Sequence, residues 1–434
     1  MTLRTAVFLS LRNFRRPDGE KNYKRLLGAV LGVSLSLVPL IVVIEVANGM
    51  IEGITSRFIE VGTYHIQAKT YGSEEGGSYN TFLDSVQDVD GITAAFPFIE
   101  GIGLAYAQEE HTGISVRAIP PDLYENDTAL QEYLTIVDGK FDLRVKDAIL
   151  LSKEIAGTLG VSAGDPVKLM TAKVLPGRPA ILRPNNFTVI GVFSTGYHEL
   201  DSLTAYIPLE RGISLFGQEQ RVSVGIKVDD PYDNLRGMVS KIRRVTPPGW
   251  YLFTWYELEK SMYRSFETTK SLLIFIMALI VAVASVNISS TLVMIVIERQ
   301  QEIAILKCTG TSPSQIQTSF ILTGAVIGVL GTVIGLAAGL LISIHINTII
   351  DFMEVFLTSI GQMLEVILHP FSPQTVTQIE ILDPTFYLEQ IPIRIGAAEL
   401  LAASFLAILL STIASYFPAK KAGSIRPLEI LRKH

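Results

Sequence analysis

The sequence predicts an α-helical membrane protein. It has four transmembrane helices and a large α+β domain inserted between helices 1 and 2, on the side away from the cytoplasm. Three observations predict this. First, nonpolar residues make up 48% of the 434 residues and charged residues 18%, with a mean hydropathy of +0.38. Soluble domains do not keep that balance. Second, residues 26–44, 271–297, 320–344 and 400–419 contain no Asp, Glu, Lys or Arg, over 19, 27, 25 and 20 residues. A helix needs about 20 apolar residues to cross a bilayer core of about 30 Å. Third, charge separates by side. The two tails and the turn after the second stretch sum to +9, whereas 48–270 carries −8 and 351–399 carries −6. Basic residues at span ends mark the cytoplasmic face, so both termini are cytoplasmic.

These observations exclude a disordered chain, a secreted disulfide scaffold and an ordinary cytosolic enzyme. Cys308 is the single cysteine, so no intrachain disulfide forms. A net charge of −6 gives no support to bulk nucleic-acid binding.

The elements follow in order. Residues 1–25 are a basic cytoplasmic tail. Transmembrane helix 1 covers 26–47; its apolar run exceeds that of a signal peptide, and Pro39 is a place for a bend. The outside domain covers 48–256. Short β-branched and aromatic runs at 63–68, 149–151, 167–170, 187–193, 204–207 and 222–228 read as strands of a mixed sheet. Residues 153–159 read as a helix stopped by Gly160, 231–245 have helical spacing, and 71–80 read as a loop. The stalk and transmembrane helix 2 cover 257–297; a helix of that length is about 60 Å, twice the bilayer core. Residues 298–312 form a short amphipathic cytoplasmic helix and turn, with Gly310 as its stop and Thr311 or Ser312 capping the next helix ahead of Pro313. That helix is either a connector on lipid headgroups or a docking site for a cytoplasmic partner. Transmembrane helix 3 covers 313–347, with Gly324, Gly328, Gly331, Gly335 and Gly339 on one face for close packing. A non-cytoplasmic loop covers 348–395, transmembrane helix 4 covers 396–418, and 419–434 are a cytoplasmic tail.

Catalytic and metal motifs are missing. There is no GxxxxGK[ST] phosphate loop, HExxH or GxSxG, and the six His are scattered. The expectation is a non-catalytic subunit with no metal or cofactor of its own. No charge lies in mid-span, where secondary transporters keep one.

Several motifs carry a family resemblance: Val286-Asn287-Ile288-Ser289-Ser290-Thr291-Leu292-Val293-Met294, Glu302-Ile303-Ala304-Ile305-Leu306-Lys307, Gly310-Thr311-Ser312, and Ser415-Tyr416-Phe417-Pro418-Ala419-Lys420-Lys421-Ala422. With Asn48-Gly49 and Asn186-Phe187-Thr188-Val189-Ile190-Gly191-Val192-Phe193 they resemble the lipoprotein-releasing (Lol-type) ABC transporter permeases of the FtsX-like superfamily. The resemblance implies an inner-membrane permease with a periplasmic domain. Its partners would be two copies of an ABC ATPase, which holds ATP and Mg, and a second permease subunit, a paralogue or itself. A periplasmic lipoprotein carrier, a lipoprotein substrate and membrane lipids complete the set. Motion of the ATPase would pass to the periplasm by mechanotransmission. The implied coupling residues are Glu298, Arg299, Glu302, Ile303, Leu306 and Lys307. Val46, Met50 and Phe58 would flank an acyl-chain cavity, or simply pack. Pro176, Arg178, Arg183 and Pro184 match by position a carrier-binding hook, or form a solvated loop. Two other outcomes stay open within the superfamily: export of a drug or peptide, and a scaffold regulating a periplasmic hydrolase.

Overall fold

The computed structural model describes residues 20–70, 78–173, 181–216, 222–232, 235–368, 388 and 391–428. The chain forms two compact units. One comprises Met1–Gly49, Ser265–Val376 and Pro392–His434; the other comprises Met50–Arg264 and Thr377–Ile391.

The first unit is helical. Its described helices are α1 (Glu20–Arg57), α2 (Lys260–Glu298), α3 (Gln300–Cys308), α4 (Pro313–Ile344), α5 (Ile346–Leu368), α6 (Ala397–Ala414) and α7 (Tyr416–Ser424), with residues 50–57 of α1 and 260–264 of α2 belonging to the second unit. Among the described residues, four helical segments are long and apolar enough to cross a membrane: Leu27–Thr63, Lys260–Glu298, Pro313–Ile344 and Ala397–Ser424. Helix α1 runs unbroken through Pro39 and past Asn48, continuing as a π-helical turn at Phe58–Thr63. Helix α2 starts at Lys260, three residues later than expected. Glu257 belongs instead to a separate short helix, Trp255–Leu258, where it closes a capping box with Thr254. The remaining 39 residues of α2 are still about 58 Å long. Ser312 and Gln315 form a capping box ahead of α4 with Pro313 in its first turn, and Gly310 takes the left-handed backbone that ends the turn before it. The 23-residue helix α5 starts at Ile346, inside the stretch expected as transmembrane helix 3, and runs into the segment expected as a loop. Asp351 and Glu354 break its charge-free run, which hid it from a search for uncharged stretches.

The glycines of α4 divide between two neighbours. A Cβ on Gly324 or Gly328 would meet Ser415 or Ser411 at 2.4 and 2.8 Å; one on Gly331, Gly335 or Gly339 would meet Val33, Leu37 or Ile41 at 2.7 to 2.9 Å. Ser34 Oγ donates to the Gly331 carbonyl at 3.0 Å across the contact. The backbones are therefore as close as side chains permit. Gly335→Leu is expected to lower stability by about 1–3 kcal/mol through overpacking. Gly32→Ala, on a part of α1 with nothing within 4 Å of the new methyl, is expected to be neutral. Thermal unfolding in detergent checks both.

The described residues of the second unit form ten strands: β1 (Ile66–Thr70), β2 (Ile92–Ala107), β3 (Glu110–Ile119), β4 (Thr135–Gly139), β5 (Ala148–Ser152), β6 (Pro166–Lys173), β7 (Ile181–Ser194), β8 (Thr204–Pro208), β9 (Ser223–Val228) and β10 (Trp250–Thr254). Their order is β10-β1-β9-β2-β3-β8-β5-β7-β4, with β6 pairing both β2 and β7. Pairing thus closes on itself through β2, β3, β8, β5, β7 and β6. The pairs β3/β8 and β5/β7 are parallel and the rest antiparallel, so the sheet is mixed as expected. Strands β2 and β3 were not legible: β2 carries Gly101 and Gly103 in place of β-branched residues, and a Cβ on Gly103 would meet Leu169 at 2.7 Å. The expected helix Lys153–Leu159 is present, capped by Ser152 and stopped by Gly160 in the left-handed conformation. Helix Leu235–Val245 starts later than expected, and helix Tyr79–Val86 takes the end of the stretch read as a loop.

Candidate functional site

Three features of the described residues bear on function. The first is an apolar cleft of about 120 Å³ in the helical unit, lined by α1, α2 and α6. Ile44 and Ala47, Leu273 and Met277, and Ala403 and Leu406 supply its walls. Lys270 and Glu399 stand in the lining as an ion pair at 2.7 Å. They are the charges that bound two of the uncharged stretches, which was the available sequence signal. Asn48 joins them: a Cβ on Gly396 would meet Glu399 Oε2 at 2.4 Å and Asn48 Nδ2 at 3.2 Å. Glu45 is buried beside this group, its Oε2 accepting from the Gly396 amide at 3.3 Å while Oε1 has no hydrogen-bond partner. An apolar slot with charges confined to one part suits a ligand with a hydrocarbon body and a polar head. Of the residues expected near such a cavity, Val46 and Met50 are half-buried on α1, but the α1 wall is made by Ile44, Ala47 and Asn48. Phe58 lies in the π-helical turn, its ring edge-on to Tyr197 at 5.9 Å.

The second feature is α3, whose two faces do different things. Ile303 and Ala304 are buried, Ile303 in the helical core with Ala419 and Ala422 of α7. Lys307 Nζ donates to the carbonyls of Gly423 and Ile425 at 2.6 and 2.7 Å, neutralising the negative end of α7. Arg299 is buried, Glu302 and Leu306 are half-buried, and Glu298 is exposed. The outward face carries Gln301, Ile305 and Cys308. Thus Ile303 and Lys307 hold the helix in place, and the sequence reading missed Ile305, 54% exposed.

The third feature is a joint within the second unit, where the π-helical turn Phe58–Thr63 meets strands β3 and β9. Arg117 on β3 donates from Nη1 to the carbonyls of Val61 and Gly62, and from Nη2 to Glu100 at 2.8 Å. These carbonyls end the π-helical turn and have no intrahelical partner to accept from. Glu60 accepts from Lys227 Nζ at 2.6 Å, and its other oxygen lies 2.9 Å from His65 Nε2. His65 Nδ1 accepts from the Val228 amide at 2.8 Å, which fixes the proton of a neutral ring on Nε2, facing Glu60. Lys227 also pairs with Asp127 at 2.5 Å. Tyr64 follows at φ 57°, ψ 176°, a conformation disfavoured for a bulky residue by about 1–3 kcal/mol. Phe96 and Phe98 hold it edge-on at 4.7 and 5.2 Å, and burial pushes its phenol up to about 12.

The remaining expectations are less concentrated. Arg183 and Pro184 lie within β7, opposite Thr171 and Met170 of β6, so a strand occupies part of the expected hook. Pro176 and Arg178 lie outside the described residues. A concavity of about 1020 Å³ lies in the sheet domain; Arg144 in its lining is already paired to Glu125 at 2.7 Å. Among the described residues no group of three or more His, Cys, Asp or Glu could hold a metal ion.

Two families match the chain: the MacB-like periplasmic core domain over residues 26–237 and the FtsX-like permease C-terminal region over residues 274–427. Curated relatives match along nearly the whole length. The lipoprotein-releasing system transmembrane protein LolC of Neisseria meningitidis serogroup B is 25% identical, over 93% of this chain and 93% of its own. LolC of Xylella fastidiosa is 26% identical over 99% and 98%. LolE of Haemophilus influenzae is 22% identical over 94% and 94%. The resemblance drawn from the span and turn motifs is borne out.

Proposed function

We infer that this chain, an FtsX-like permease similar over nearly its full length to lipoprotein-releasing system proteins, is the non-catalytic membrane subunit of an ABC transporter that extracts lipoproteins. The observation that carries the reading is the extent of that similarity, which runs through both the apolar helices and the sheet domain. The reading sets the protein in the inner membrane with both termini in the cytoplasm and the sheet domain in the periplasm, following the charge bias. Two copies of a separate ATPase bind and hydrolyse ATP with Mg, docking on the outward face of α3. A second permease, a paralogue or a second copy, completes the assembly.

The cleft bounded by α1, α2 and α6 takes acyl chains laterally, with the Lys270–Glu399 pair and Asn48 at the polar head. Each buried CH₂ is worth about 0.8 kcal/mol, so an acylated protein leaves a membrane only against work and into a receiving pocket. The rods α1 and α2 carry that work to the periplasm, where a soluble carrier receives the substrate. The segment 173–186 is the candidate carrier contact. Deletion of residues 174–180, which keeps the paired residues of β6 and β7, is expected to block handover and spare ATP hydrolysis; normal release by that deletion would remove the role.

Export of a drug or peptide is the second reading, favoured by the MacB-like core match. One assay separates the two. Proteoliposomes containing this chain, its ATPase and a triacylated lipoprotein are given ATP and a soluble carrier. Release that depends on both supports lipoprotein extraction. Intact ATPase binding and hydrolysis without release shifts the assignment to export, or to a scaffold for a periplasmic hydrolase.

A further inference from the structure

Helix α5 follows α4 after a single break at His345, whose backbone (φ −104°, ψ 18°) leaves the α-helical region. At 100° per residue its side chains separate into an apolar and a polar face, with Val355, 66% exposed, the apolar exception on the polar side. Ile349, Phe352, Met353, Phe356, Ile360 and Met363 share one face; Asn347, Asp351, Glu354, Thr358 and Gln362 share the other. The apolar face is bare: Phe352 is 69% exposed and Met363 67%.

Three facts name what covers it. The face follows, along the chain, the exposed apolar residues Leu341 and Ile344 at the end of α4, a helix long and apolar enough to cross a membrane, so it starts beside a candidate span. The 32 residues of α4 already span about 48 Å, so α5 is not needed to cross the bilayer. Asp351 and Glu354 stand on the polar face, and the helix contains no Lys or Arg, which suits a zwitterionic leaflet rather than an anionic one. We propose that α5 lies in the plane of the bilayer interface at the outer end of α4. Its phenylalanine and methionine face sits among the upper acyl carbons and its acidic face in the headgroup layer. The helix then fixes the depth of the span it follows and thickens the apolar rim of the leaflet from which substrate is drawn.

The test uses the full chain carrying Cys308→Ser, in phosphatidylcholine vesicles, with one new cysteine labelled by a small fluorophore. Phe352→Cys and Phe356→Cys report the apolar face; Asp351→Cys and Thr358→Cys report the polar face. Iodide quenches labels in water, and nitroxide lipids quench labels at chosen depths. Expected is iodide quenching about threefold weaker on the apolar face, with stronger quenching there by a nitroxide near the headgroup than by one at the bilayer centre. Equal iodide access on both faces would mean a rod standing in water and overturns the proposal. Shielding of the apolar face from both iodide and nitroxide lipid would mean that protein covers it. Strongest quenching from the bilayer centre would mean a re-entrant helix. Either also overturns it.

Discussion

Ile305→Glu is expected to abolish ATP-dependent substrate release by separating this chain from its ATPase, while leaving both compact units folded. Ile305 is the most exposed large apolar side chain on α3, and the opposite face is held by buried Ile303 and Ala304 and by the Lys307 contacts to Gly423 and Ile425. An exposed aliphatic residue on a rigid, short helix has the properties of an interface anchor. Burying a carboxylate in its place costs about 3 kcal/mol, or about 100-fold in affinity. The measurement is ATPase co-purification followed by the release assay. Ile303→Ala separates the roles, because it removes a core side chain and is expected to cost about 2–5 kcal/mol of stability. If the Ile305 variant retains its ATPase and the Ile303 variant unfolds, α3 is only a structural connector.

That contrast also shows how far the sequence could be read. The four spans were legible because hydrocarbon imposes one rule on a long run of residues. The turn after α2 was legible because Gly310, Ser312 and Pro313 each carry a local conformational preference. Sequence showed that α3 has an apolar side, but not that the lysine at its edge would reach the carbonyls at 423 and 425. The cleft had the same difficulty. Lys270 and Glu399 each end an uncharged stretch, and their pairing is a contact between residues 129 apart. Helix α5 was hidden because a rule for spans asks for no charge, whereas an interfacial helix needs charge on one face. In the sheet domain, β5, β8 and β9 had buried β-branched runs, while β2 is built around close approach at glycine.

Lys227→Met is expected to lower release at least tenfold while ATP hydrolysis persists, because it breaks the joint between the π-helical turn and the sheet within the second unit. Lys227 is 3% exposed and pairs with two carboxylates, Glu60 of the π-helical turn and Asp127 at the cap of the helix Thr128–Tyr133. Removing the one cation they share leaves buried Asp127 and half-buried Glu60 without it, at a cost of about 3–5 kcal/mol. Two apolar clusters of the sheet unit do not involve this turn, whereas Val61 and Tyr64 pack with Phe96, Leu130 and Tyr206, so the loss falls on the turn and on its packing against β3 and β9. On the mechanotransmission reading, a softened turn would dissipate motion arriving along α1. Adding Glu60→Gln and Asp127→Asn to Lys227→Met removes the uncompensated charge and is expected to restore thermal stability, since a whole buried ion set can be replaced at little cost. Release is expected to recover in parallel if the joint works by stiffness alone. A Lys227→Met protein that melts earlier yet releases substrate normally would show that force does not pass through α1, leaving α2 as the remaining rod.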